Sequence, residues 1–409
     1  AISNYDSLAM IKGIPMSSYL LPTYKRQPIS FVKGQGSYLY TADGTPYLDA
    51  LTGIAVCGLG HCHPRITAAI ADQAATLVHT SNLFGIDWQE RAGEKLCQVA
   101  GMDKVFFANS GAEANEAALK MARLFASNRG QTQAKVIVME KSFHGRTLLT
   151  VSATANPMAR AGFFTLDDDF IRVPFGDIEA ISQAIADNDN VCAVMLEPIQ
   201  GESGVNTAAN GFDFLTQVRK VCDDHDLLMI LDEVQTGNGR TGRYFAYQYS
   251  SIKPDILTTA KGLGNGFPVG ACMTSAKAND IFSYGSHGST YGGTPLACRV
   301  VSEVIDVIDD ENMMATTLSN SAALIEQITS ELSSQGVTVR GKGMMLGVVM
   351  PQDRGIAFDT LVDKARDNHH LIINVAGGNA IRLLPPLNMS ADETVQIGER
   401  LIHLIQSAL

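Results

Sequence analysis

The sequence predicts an α/β protein, with a large domain built on a mostly parallel sheet covered by helices and a smaller α+β domain. Three observations predict it. Short apolar runs recur between about residues 65 and 275: Val105-Phe106-Phe107, Val136-Ile137-Val138-Met139, Val191 to Leu196, Leu227 to Leu231 and Ile256-Leu257. Runs that stay apolar throughout are expected of strands buried on both faces. Helix-like segments, including 112–126 and 211–225, separate them, and this alternation is the pattern of a parallel sheet. At 409 residues the chain also exceeds one ordinary domain.

Taken in order, residues 1–60 supply an N-terminal segment and strands that join the small domain, 61–310 form the large domain and 311–409 close the small one. Within 29–51, Asp43-Gly44 between Ser37-Tyr38-Leu39-Tyr40 and Tyr47-Leu48 signals a hairpin. Thr294-Pro295-Leu296 opens a helix, with an N-cap and then proline in the first turn. Its apolar residues at 297, 300, 301, 304, 305 and 308 form one stripe. A second helix (about 313–334), short strands around 337–350 and 380–384, and a last helix follow. Ser390-Ala391-Asp392-Glu393 supplies that helix with a capping box.

Composition narrows the function. Hydrophobic content of 45% against 18% charged residues is that of a folded chain. A formal charge of -11 without a Lys/Arg cluster argues against nucleic acid. The N-terminus lacks a basic stretch followed by an apolar one, and no apolar segment is long enough to span a bilayer, so neither export nor membrane insertion is expected. Seven dispersed cysteines, some within apolar runs, suit buried thiols and a cytoplasmic location.

The polar residues that look chemical follow the apolar runs. Ser110-Gly111, Phe143 to Arg146, Glu197 with Glu202, Asp232 and Lys261 would all lie at carboxyl ends of strands, where ligands bind in open α/β sheets. Lys261, in Ala260-Lys261-Gly262-Leu263-Gly264-Asn265-Gly266, reads as a Schiff-base lysine, and Asp232 as the acid that keeps a pyridine nitrogen protonated. The turn Asn109-Ser110-Gly111-Ala112 into an alanine-rich helix offers free N–H groups to a phosphate. An ordinary capped helix reads the same way. Phe143 can stack on a flat ring, and Arg146 and Arg382 can bind carboxylates, although either arginine could be a structural ion pair.

Three decoys lose on context. Asp232-Glu233 resembles the metal-binding end of a phosphate-loop NTPase strand, but no G-x-x-x-x-G-K-[ST] motif accompanies it. Gly237-Asn238-Gly239-Arg240-Thr241-Gly242 fits a dinucleotide fingerprint, yet it comes late in the sheet and opens no helix, so it reads as a loop. His61-Cys62-His63 has no second ligand cluster, so no metal site is predicted.

Together these residues resemble the class III (subgroup II) aminotransferases of fold type I. The carrying motifs are Gly58 to Pro64, Asn109 to Asn115, Phe143 to Thr147, Glu197 to Glu202, Asp232 to Gln235, the Lys261 segment and His287 to Gly293. Within the class the chain is similar to the bacterial acetylornithine group. The resemblance implies a seven-stranded type of sheet, pyridoxal 5'-phosphate as cofactor and a homodimer with shared sites. Lys261 would hold the cofactor, Asp232 its ring nitrogen and Phe143 its face. Ser110, Gly111 and Ala112 would hold the phosphate, with Val234 and Gln235 as further contacts and Thr290 reaching across from the neighbouring subunit. Arg146, Ser289 and Arg382 would bind substrate, and Glu202 would gate Arg382. The implied reaction moves the terminal amine of N-acetylornithine to 2-oxoglutarate, and some members of the group also act on succinyl-diaminopimelate. Ornithine, succinylornithine and 4-aminobutyrate are the rival donors. Two departures stand out: Ala112 replaces a common threonine, and Asn265 a usual glycine.

Overall fold

The protein is described by a computed structural model over residues 19–351 and 355–409. Residues 1–18, where the absence of an export signal was read, lie outside the described residues. Three short strands come first, β1 (Lys33–Gln35), β2 (Tyr38–Tyr40) and β3 (Pro46–Asp49). β2 and β3 form the expected hairpin. At its turn Gly44 has φ +88, and the Asp43 carboxylate accepts from Thr45 N at 3.1 Å.

The large sheet holds β4 (Lys104–Ala108), β5 (Lys135–Met139), β6 (Phe170–Val173), β7 (Val191–Leu196), β8 (Leu228–Asp232), β9 (Ile256–Thr259) and β10 (Gly270–Thr274), in the order β4-β10-β9-β8-β7-β5-β6. Alternate residues of each run enter different cores. Val136, Val138, Met195 and Ile230 pack on one face, while Ile137, Met139, Leu196 and Leu231 pack on the other. Two buried faces explain why the runs are apolar at every position. The first face is covered by the helix Gly111–Asn128, whose Ala114, Ala117, Ala118 and Ala122 are fully buried. Small side chains let it lie close to the sheet.

Two features of this sheet go beyond the expectation. β6 is an edge strand that no long apolar run announces, since Ile171 and Arg172 are only half-buried. β10 runs antiparallel to both of its neighbours, β4 and β9. The other six strands therefore share one direction, and their carboxyl ends make one edge.

The chain then forms the helices Pro295–Asp310 and Met313–Leu332, the first capped by Thr294 as its sequence foretold. β11 (Thr338–Lys342), β12 (Met345–Val349), β14 (Asn374–Ala376) and β15 (Ala380–Leu383) make an antiparallel sheet in the order β11-β12-β15-β14. Between β12 and β14, the short strand β13 (Leu371–Ile372) pairs with β3. The last helix, Ala391–Gln406, carries the Ser390–Glu393 capping box and packs on Met313–Leu332. Leu48 and Ala50 share a core with Leu346, Leu383 and Leu401, which draws the N-terminal strands to the C-terminal part of the chain.

Candidate functional site

At the carboxyl edge of the large sheet, Gly111, Ala112, Phe143, Arg146, Asp232, Val234, Gln235 and Lys261 line one cavity of about 220 Å³. Glu202 and Arg382 adjoin it through Gln235. A larger cleft, of about 710 Å³, opens beside Phe107, Ser289 and Gly292. The smaller cavity is the one that holds Lys261, Asp232 and Glu197 together.

Asp232 ends β8 and is 4% exposed. Three protein groups hold its carboxylate in place. Oδ2 accepts from Asn115 Nδ2 at 2.8 Å and lies 2.8 Å from His144 Nδ1, while Oδ1 accepts from Val234 N at 3.1 Å. Burial alone would lower the His144 pKa, but the Asp232 carboxylate overrides it and raises the net value. Asn115 is itself held by Thr258 Oγ1 at 2.6 Å. Its partner lies 117 residues away along the chain, and a single asparagine in an alanine-rich helix carries no local signal. Glu233 faces away from the cavity and accepts from Ala246 N, Tyr247 N and Thr236 Oγ1, each at 2.7 Å. The neighbouring acids thus divide between site and scaffold.

Lys261 opens a short turn at φ +48, a left-handed conformation that costs a lysine on the order of 1–3 kcal/mol and persists only where surroundings enforce it. Burial pushes its amine pKa down, with Arg382 acting in the same direction and the Glu202 charge opposing. Glu197 is buried at the end of β7, where Oε1 accepts from Phe143 N at 3.0 Å. Its burial, reinforced by Asp232, raises its carboxyl to about 7.

Arg382 is 1% exposed on β15. Its Nη1 donates to Glu202 Oε1 at 2.9 Å and to Gln235 Oε1 at 3.3 Å, and its Nε donates to Asn374 Oδ1 at 3.2 Å. Burial would raise the Glu202 pKa, but Arg382 brings the net shift below the ordinary value. Arg146 differs in kind. It is exposed, lies 5.5 Å over the Phe143 ring and forms no ion pair among the described residues.

Ser110 is the N-cap of the helix Gly111–Asn128, and its Oγ accepts from Glu113 N at 3.2 Å. The capped-helix reading is therefore correct, and it leaves the first N–H groups of the helix without intrahelical acceptors. A side chain at Gly111 would come within 2.8 Å of Val234, so the glycine is required for that close packing. Ser289 Oγ accepts from Asn109 Nδ2 at 3.2 Å, which brings it beside the phosphate-type turn. Thr290, by contrast, is exposed and does not line the cavity.

The family model for aminotransferase class III matches residues 20–405. The chain belongs to the class III aminotransferases. An acetylornithine aminotransferase of Nitrosomonas europaea is 44% identical over 391 residues, covering 95% of this chain and 98% of that protein. An acetylornithine/succinyldiaminopimelate aminotransferase of Yersinia pestis is 41% identical, covering 99% of each. The structure of ornithine aminotransferase from Toxoplasma gondii ME49 superposes with a TM-score of 0.91 at 33% identity, covering 95% of this chain and 93% of that one. Another structure of the T. gondii enzyme carries pyridoxal phosphate in its active site at partial occupancy. The fold here is thus fold type I, with the large sheet expected of it.

The residues present fit pyridoxal 5'-phosphate. A buried amine of lowered pKa, a fixed buried carboxylate, a helix N-terminus and the faces of Phe143 and Val234 surround one cavity.

Proposed function

We propose that this class III aminotransferase uses pyridoxal 5'-phosphate to move the terminal amine of N-acetylornithine to 2-oxoglutarate, giving N-acetylglutamate semialdehyde and glutamate. Succinyl-diaminopimelate, likewise N-acylated with one free amine but richer in carboxylates, is a second donor. The observation that carries the reading is the Glu202–Arg382 pair beside Lys261. A fully buried arginine whose carboxylate partner is part-exposed suits a site that must admit a dicarboxylate in one half-reaction and a donor with one free carboxylate in the other.

The bound cofactor supplies a protonated, electron-withdrawing ring conjugated to the reacting carbon. Asp232, held by Asn115, His144 and Val234 N, would pair with the ring nitrogen and sustain its charge. Lys261, its pKa lowered by burial, would hold the cofactor and, once freed by the donor, would serve as the base and acid that moves the proton. Phe143 and Val234 would flank the ring, Gln235 would meet its hydroxyl, and Ser110, Gly111 and Ala112 would hold the phosphate. Arg146, free of a protein carboxylate, binds the donor's α-carboxylate, with Ser289 nearby. Arg382 binds the distal carboxylate of 2-oxoglutarate once Glu202 moves aside. Thr290, exposed on its own subunit, reaches the phosphate of a second one, so the working unit is a homodimer. The free cysteines suit a cytoplasmic enzyme. Among the described residues no helix is long and apolar enough to cross a membrane.

A half-reaction screen tests the donor. Cofactor-loaded enzyme is mixed with N-acetylornithine, succinyl-diaminopimelate, ornithine or 4-aminobutyrate, and the visible absorbance of the bound cofactor is followed. N-acetylornithine should discharge it fastest. A higher kcat/KM for ornithine would assign the chain to the other donor.

A further inference from the structure

The loop 237–242, which matches a dinucleotide fingerprint without its setting, meets Lys261 instead. Asn238 Nδ2 donates to Ala260 O at 3.1 Å and to Thr259 Oγ1 at 3.0 Å, gripping the backbone immediately before the lysine. The same asparagine packs on Gly262, where an added Cβ would lie 3.2 Å from Asn238 Cβ. On the other side of the turn, Asn265 Oδ1 accepts from Leu59 N at 2.8 Å, and its Nδ2 donates to Gly60 O at 3.2 Å. That segment is anchored in turn, since Asn388 Nδ2 donates to Leu59 O at 3.0 Å and Leu387 N to Gly58 O at 2.8 Å.

All three residues, Asn238 (φ +59), Lys261 (φ +48) and Asn265 (φ +45), occupy the left-handed region. Asparagine tolerates it better than other side-chain-bearing residues. Glycine would tolerate it more freely still, but would provide none of these four side-chain bonds. Lysine has no such tolerance, so its conformation must be imposed from outside.

We infer that Asn238 and Asn265 are positioning residues which clamp the Lys261 backbone in its left-handed conformation and thereby aim its amine. This rests on Lys261 being the reacting amine. Neither asparagine lines the cavity, and both act through the lysine. The departure from glycine at 265 is then a gain of hold on the lysine turn.

Glycine variants serve the test, because glycine adopts the left-handed backbone without strain while losing the side-chain bonds. In cofactor-loaded Asn238→Gly and Asn265→Gly enzymes, kcat should fall by about tenfold each, the loss expected from one to two hydrogen bonds. KM for 2-oxoglutarate should stay within about twofold. Amide hydrogen exchange should quicken in peptides spanning 258–266 before it does elsewhere, and the pH at which the bound cofactor changes colour should shift. If Asn238→Gly fails to fold, Asn265→Gly alone decides. Unchanged kcat and unchanged exchange at 258–266 would overturn the clamp, as would faster exchange spread evenly over the chain. Lys261→Ala serves as the separate control: if that variant still turns over, the assignment of the lysine is what fails.

Discussion

Asp232 and Glu202 are both carboxylates at the cavity, but they differ in what holds them. Asp232 is gripped from three sides by Asn115, His144 and the Val234 N–H. Glu202 has one strong partner, Arg382, and its side chain is 35% exposed. The first is held fast, and the second is the one a gate at Arg382 would release. Replacing Glu202 with glutamine keeps the shape and removes the charge that competes for Arg382, so KM for 2-oxoglutarate should fall by roughly tenfold, the weight of one charge-assisted bond in water. The donor half-reaction should slow, because the arginine then stands open to the wrong carboxylate. Stopped-flow measurement of each half-reaction separates the two, and equal changes in both would remove the gate. That Lys261 and Asp232 share one edge was legible, since each follows a run that reads as a buried strand. Asn115 and His144 were not recognised as partners of Asp232, because their role depends on which strands lie side by side.

The helix Gly111–Asn128 shows how an element can serve the fold and the site through the same residues. Its alanines allow close approach to the sheet, and its first turn leaves N–H groups free above the cavity. Gly111→Ala would place a methyl 2.8 Å from Val234, forcing the helix start away from β8. We expect a lowered melting temperature and faster loss of cofactor on dialysis, with both restored in part by adding Val234→Ala, which clears the space. Failure of the double variant to recover would show that the contact is not the cause. The buried strands and this helix could be located in the sequence because burial on two faces and a capped alanine-rich run leave strong patterns. β10, where Gly270 and Thr274 bracket only three apolar residues, was not among the predicted runs, and its reversed direction leaves no trace in the sequence, since burial is the same for either polarity. β6 was missed as well, since an edge strand need not be apolar throughout.

Across the whole molecule, the N-terminal strands are fastened by His61, whose Nε2 lies 2.7 Å from Asp49 Oδ2 and whose backbone bridges to Gly36. Burial would lower the pKa of this histidine, but Asp49, aided by Cys57, raises it from 6.5 to about 10. The folded state therefore holds a proton that the unfolded chain releases near 6.5, so this contribution is complete below that pH and is lost as pH climbs toward 10. Thermal melts between pH 6 and 10 should show a steeper loss of stability in the native protein than in His61→Gln. Parallel curves would discount the pair. The proposed dimer has its own test. Chains carrying Lys261→Ala and chains carrying Thr290→Arg, each inactive alone, are unfolded together and refolded. If each site draws Thr290 from the other subunit, half of the dimers regain one intact site, and activity returns to about a quarter of native. No recovery would make each site self-contained.

The reversed strand β10 also sets an order of events during folding. Its pairing with β9 closes only the connection from Ala260 to Val269, whereas the parallel pairs of the large sheet must each enclose a longer crossover. Loop closure becomes more costly with length, and local pairings form sooner. The hairpin that bears Lys261 is therefore the cheapest part of the sheet to assemble. The lysine turn then takes its final conformation when β8 and its loop bring Asp232 and Asn238 up beside it.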